Sequence, residues 1–96
     1  MTTLEDLRAN KQEILQLVEA AGATNLRVFG SVLRGDDNAN SDIDFLVDWE
    51  ADVSMFDVIE LQHKLEDKLH KKVDLVSAEN LHWYIKTDVL NQAQPI

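Results

Sequence analysis

Asp42 and Asp44, two residues apart, and Asp74, further along the chain, are the side chains whose types and spacing best suit chemistry. Ile43, Phe45 and Val47 alternate with Asp42, Asp44 and Asp48. That period of two predicts a strand with one apolar and one acidic face. Asp42 and Asp44 then stand side by side, and each raises the other's pKa unless a cation neutralises them. Oxygen donors without His or Cys suit Mg²⁺ or Mn²⁺, which keep waters and take a few carboxylates plus substrate phosphate. With Asp74 on a neighbouring strand, the three acids could hold one or two Mg²⁺ ions. Such a site polarises phosphoryl oxygens, lowers the attacking group's pKa and steadies the leaving oxygen. A solvated strand face is the alternative that spacing leaves open, although strands are poor in Asp and like charges on one face are unfavourable.

Upstream, Gly30-Ser31 comes directly after a short β-type run, Leu26-Arg27-Val28-Phe29. Glycine there lets the backbone approach a ligand, and consecutive amides at a helix start form an anion nest. The Ser31 hydroxyl can add a hydrogen bond to a phosphate oxygen. Most Gly-Ser pairs are simply turns, so this pair gains meaning only from the acids downstream of it.

Alternating elements must position these groups. Thr2 and Glu5 have the spacing of a capping box, and Leu4, Leu7, Ile14, Leu15, Val18 and Ala21 recur at helical spacing up to Gly22. Turn residues fill Leu33 to Asn40. Ser54 with Asp57 opens a second helix, whose Val58, Leu61, Leu65 and Leu69 form a buried face as far as His70-Lys71-Lys72. The two lysines complement that helix end. Lys72 to Val76 reads as a third strand, and Ser77 caps a last helix bearing Leu81, Ile85 and Val89. The order α-β-turn-β-α-β-α predicts one α/β domain over residues 1–96, with a small sheet covered by helices.

Gly30-Ser31, ten residues, then Asp42-Ile43-Asp44 resembles the signature of the polymerase-β-like nucleotidyltransferase superfamily. Val28 to Gly35 and Ser41 to Asp48 look especially like its minimal members, and Lys72-Val73-Asp74-Leu75-Val76 supplies the expected third acid. The resemblance runs from about Leu26 to Ser77, with a helix on either side. It implies a small mixed sheet flanked by helices and transfer of a nucleoside monophosphate from an NTP, with pyrophosphate leaving. It further implies that Gly30 and Ser31 hold the outer phosphates and that Asp42 and Asp44 ligate Mg²⁺. Asp74 would serve as ligand and as base. Arg34 reaches a phosphate or pairs with Asp36 or Asp37, and Leu33 stands where many relatives carry a small residue.

Large superfamily members append a helical domain for the base or acceptor, and a chain this short is expected to borrow its acceptor site from a partner. Minimal members of this length are similar to antitoxins paired with HEPN-domain ribonuclease toxins. The implied activity is transfer of AMP from ATP to a tyrosine of the toxin. A non-catalytic module that neutralises by complex formation, or transfer to a small molecule, are the alternatives.

The composition is consistent with that reading. Hydrophobic residues make up 45% and charged residues 28%, and 18 Asp+Glu against 9 Lys+Arg give a net charge of −9. An acidic chain is poorly suited to binding nucleic-acid polymers or anionic membranes. It does suit fast association with a basic partner. The absence of cysteine excludes disulfides, thiolate nucleophiles and Cys-ligated zinc. The acidic N-terminus is no secretory signal and no run is long enough for a membrane helix, so a cytoplasmic location is expected. His63, His70 and His82 lack metal-ligand spacing and read as surface residues. Trp49 reads as half-buried packing or a base-stacking ring, Trp83 and Tyr84 as core or partner interface, and Asp36, Asp37 and Asp48 as solvated neighbours.

Overall fold

The alternating elements are present in the computed structural model, which describes residues 3–35, 38, 41–50 and 53–96. Thr2, Asp36 and Asp37 lie outside them. Helices α1 (Thr3–Ala9) and α2 (Lys11–Ala20) precede strand β1 (Ala23–Phe29), a short helix α3 (Ser31–Arg34) and strand β2 (Ile43–Trp49). Helix α4 (Met55–Leu69), strand β3 (Val73–Ser77), a 3₁₀ turn (Ala78–Asn80) and helix α5 (Trp83–Gln92) complete the chain. The sheet order is β1-β2-β3, with β2 antiparallel to β1 and parallel to β3. The parallel pair requires a crossover, and α4 provides it. Among the described residues no helix is long and apolar enough to cross a membrane.

The single N-terminal helix expected from Leu4 to Ala21 is broken at Asn10. The Asn10 side-chain amide donates to the Asp6 carbonyl at 2.9 Å, an alternative partner that competes with helix continuation. Both halves still contribute apolar side chains, Leu7 from α1 and Ile14 with Val18 from α2. Gly22, at φ +88°, ends α2 as its position predicts.

Helix α4 starts where the Ser54–Asp57 spacing places it. The Asp57 amide donates to the Ser54 hydroxyl at 3.3 Å, and the Asp57 carboxylate accepts from the Ser54 amide at 3.1 Å. This reciprocal cap fixes the first turn, so Ser54→Ala is expected to cost about 1 kcal/mol in chemical denaturation. At the other end the Glu66 carboxylate accepts the Val73 amide at 3.0 Å, and Lys68 pairs with Glu13 of α2. Leu61 and Leu65 then meet Ile43, Phe45, Val47 and Val73 in the core between helices and sheet.

Three features depart from the sequence reading. The supposedly acidic face of β2 carries Leu46 between Asp44 and Asp48, and Leu46 is fully buried. Asp48 is part-exposed but also engaged: a bulge between Thr24 and Arg27 puts Asn25 at φ +55°, and its amide donates to Asp48 at 2.9 Å. Arg27 reaches the same carboxylate at 3.6 Å. Finally, Ser77 precedes the 3₁₀ turn without a side-chain cap, and α5 starts only at Trp83 with none of its residues fully buried. Beyond α5 the chain returns to the outer edge of β1, where Val28 and Gln94 exchange amide hydrogen bonds of 2.8 and 3.0 Å and Ile96 enters the core.

Candidate active site

Strand β2 carries Asp44 as its second residue, and the parallel register sets Asp44 directly opposite Asp74 of β3. Adjacent strands lie about 4.8 Å apart, so the two acids emerge from neighbouring backbones. Asp42 precedes β2 and, like Asp74, is exposed, while Asp44 is half-buried. Burial pushes the Asp44 carboxyl above the usual aspartate range, and repulsion from Asp74 and then Asp42 adds to it. The Arg34 guanidinium pulls the other way. The sheet thus brings Asp74 and Asp42 within electrostatic reach of Asp44, on which Arg34 also acts.

On the other flank, β1 pairs Phe29 with Asp44, and Gly30 comes next in the chain. Gly30 has φ +76° and ψ −151°, a conformation that side chains rarely adopt. A β-carbon there would run into the Asp44 carboxylate. Glycine is therefore needed twice at this position, for its backbone angles and for the space it leaves. Ser31 then opens α3, whose first turn is closed by the Arg34 amide donating to the Gly30 carbonyl at 3.1 Å. Gly30, Ser31 and Arg34 are thereby gathered against the acids. Leu33 packs against the core from α3, which accounts for a large side chain there.

The carboxylate donors suit Mg²⁺ in chemistry. Among the described residues no group of three or more His, Cys, Asp or Glu side chains is placed to hold a metal ion. Asp42, Asp44 and Asp74 lie at the same end of the sheet with Asp42 and Asp74 open to solvent, so a cation held there would need waters or phosphate oxygens as further ligands.

Other residues are placed away from this edge. Trp49 ends β2, packs against the core and pairs with Ala23, far from Asp44. His63, His70 and His82 are exposed, as expected, and His70 closes α4 at φ +56°. Lys71 does more than complement the helix end. Its ammonium donates to the Asn38 carbonyl at 2.9 Å and to the Thr3 hydroxyl at 3.4 Å. The Asn38 carbonyl also accepts the Ser41 amide at 3.0 Å, so Lys71 braces the segment that delivers Asp42. No local sequence signal links residues so far apart in the chain.

The polymerase beta nucleotidyltransferase family profile matches residues 12–96, a span that includes every one of these site residues. The chain belongs to the polymerase-β nucleotidyltransferase family. The nucleotidyltransferase is similar to the protein adenylyltransferase MntA of Thermococcus cleftensis, with 41% identity covering 96% of this chain and 94% of that one. Its fold matches a solved structure described as a minimal nucleotidyltransferase, at a TM-score of 0.88 and 38% identity, over 100% of this chain and 97% of the other. A toxin-antitoxin structure with AMP-PNP matches at a TM-score of 0.75 and 28% identity, covering 88% of this nucleotidyltransferase and 70% of that chain. The small mixed sheet and flanking helices expected from the sequence are those of the nucleotidyltransferase fold.

Proposed function

We propose that this nucleotidyltransferase is the antitoxin of a toxin–antitoxin pair and a protein adenylyltransferase. It moves AMP from Mg²⁺-ATP to a tyrosine hydroxyl of a HEPN-type ribonuclease toxin in the cytoplasm and thereby silences it. The observation that carries this reading is the Asp44–Asp74 register beside Gly30, in a chain that matches a protein adenylyltransferase along almost its whole length.

In this reading Gly30 and Ser31 receive the outer phosphates through backbone amide and hydroxyl, and Arg34 neutralises phosphate charge. Asp42, Asp44 and Asp74 hold Mg²⁺, which when bound polarises the phosphoryl oxygens and lowers the pKa of the attacking hydroxyl. Asp74, exposed at the edge, takes the hydroxyl proton. The hydroxyl oxygen bonds to the α-phosphorus, the bond from that phosphorus to the bridging oxygen breaks, and pyrophosphate carries away the electron pair.

The test is an intact-mass measurement on the protein encoded beside this chain after incubation with the enzyme, Mg²⁺ and ATP. A mass gain of one or more AMP groups, mapped to tyrosine, is expected. An unchanged mass, with the complex formed and Mg²⁺-ATP bound, overturns transfer and leaves a purely binding antitoxin.

A further inference from the structure

We propose that the outward face of α5 is the docking surface for the acceptor protein, a basic partner presenting an apolar groove; this rests on the adenylyltransferase reading. Helix α5 is unlike the other long helices. Helices α2 and α4 each bury two apolar residues, and both also expose polar faces. No residue of α5 is fully buried, yet Trp83 is 81% and Tyr84 64% exposed, with Leu90 also open to solvent. Met55 and Phe56 of α4 are exposed too, but that helix is held by Leu61 and Leu65 on its other side. A helix of α5's length is marginal in water unless something packs on it.

The face has the composition of an interface core. Trp83, Thr87 and Leu90 recur at spacings of four and three and form one stripe, while Tyr84 stands about 100° round the helix from Trp83 and Ile85 is exposed on the other side. Lys86 and Asp88 flank it and cancel in charge, which leaves an uncharged aromatic stripe on a chain of net charge −9. Aromatic enrichment with charge depletion marks the centre of protein interfaces. The His82 and Tyr84 rings lie 4.2 Å apart, and Trp83 meets Tyr84 edge-on at 5.8 Å.

Charge selects the occupant. Pairing two copies of this chain would bring two −9 bodies together, whereas a partner with a basic rim around an apolar groove gains from the same field. Placement supports an acceptor. Helix α5 begins just beyond the 3₁₀ turn after β3 and ends where Gln94 is pinned to Val28. Val28 is two residues, about 7 Å of strand, from Gly30. The C-terminal end of α5 is therefore the end near the phosphate-binding end of the sheet, with Trp83 about 14 Å away at the start of the helix.

The experiment uses the full chain with the protein encoded beside it. Binding is read by calorimetry and transfer by intact mass, on wild type, Trp83→Ala, Leu90→Ser and Trp83→Phe. The expected result is a dissociation constant raised roughly 30-fold or more by Trp83→Ala and Leu90→Ser. Trp83→Phe should bind nearly as wild type, and all variants should melt as wild type and keep Mg²⁺-ATP affinity. Variants that bind and are modified normally overturn the docking proposal while leaving the transfer reading intact. Docking lost in the variants but no AMP on the wild-type complex supports docking and overturns transfer. A wild-type dimer in light scattering that Trp83→Ala converts to monomer, or no complex with the partner at all, overturns the proposal.

Discussion

An Asp44→Asn variant is expected to fold, to melt higher than its parent at neutral pH without added metal, and to transfer nucleotide on the order of 10³-fold more slowly, the upper range for losing one electrostatic stabiliser of a transition state. Asparagine keeps the size of the side chain and removes its charge. The Asp44 carboxyl, pushed up by burial and by repulsion from Asp74 and Asp42, holds its proton more tightly in the folded chain than in the unfolded one. As pH rises through that raised value, the folded state must ionise a group that the unfolded state ionises more readily, and stability falls. The gain from Asp44→Asn is therefore largest above the raised pKa. It shrinks as pH falls and vanishes below the ordinary aspartate value of about 3.9. Calorimetric melting across pH, paired with the transfer rate, checks both halves. A large loss of melting temperature at pH 7 would make Asp44 a structural residue.

Gly30→Ala is the second severe substitution. The backbone at φ +76° resists any side chain, which costs about 1–3 kcal/mol at such angles. The new methyl would also meet the Asp44 carboxylate, and one of the two must move. We expect chemical denaturation to show that loss of stability, and transfer to fall by about 10²-fold, the scale of misplacing a reacting group by roughly 1 Å. A cycle with Asp44→Ala separates the causes. With the carboxylate gone only the backbone strain remains, so the pair should be less destabilised than the sum by about 0.5–3 kcal/mol. Strict additivity would mean that the close approach to Asp44 is not what demands glycine.

Where the signals are local, the sequence is a sufficient guide. The Ser54–Asp57 cap and the alternation around Asp42 and Asp44 depend on neighbours within a few residues, and both are found where the spacing puts them. Asn10 also acts locally, but apolar spacing carries on through it, so a pattern reading runs two helices into one. Leu46 and Asp48 mislead for another reason. Their surroundings come from other elements, and the Asn25 bulge that engages Asp48 has no signature in β2 itself. In the site, the three acids and Gly30 are visible as types and spacings. The pairing of Asp44 with Asp74, and the reach of Lys71 to Asn38, arise only from strand register and loop placement.

The crossover through α4 also governs when activity can first arise. The hairpin of β1 and β2 brings Gly30 to Asp44 by antiparallel pairing of near neighbours, a fast kind of closure. Asp74 joins only when β3 docks in parallel after the whole of α4 has been made and packed. Long-range parallel pairing is intrinsically slow, because the loop entropy must be lost before the contacts form. A chain that has paired β1 with β2 but not yet docked β3 would hold Gly30 against Asp44 without Asp74. The pairing of Asp44 with Asp74 therefore requires completion of the sheet.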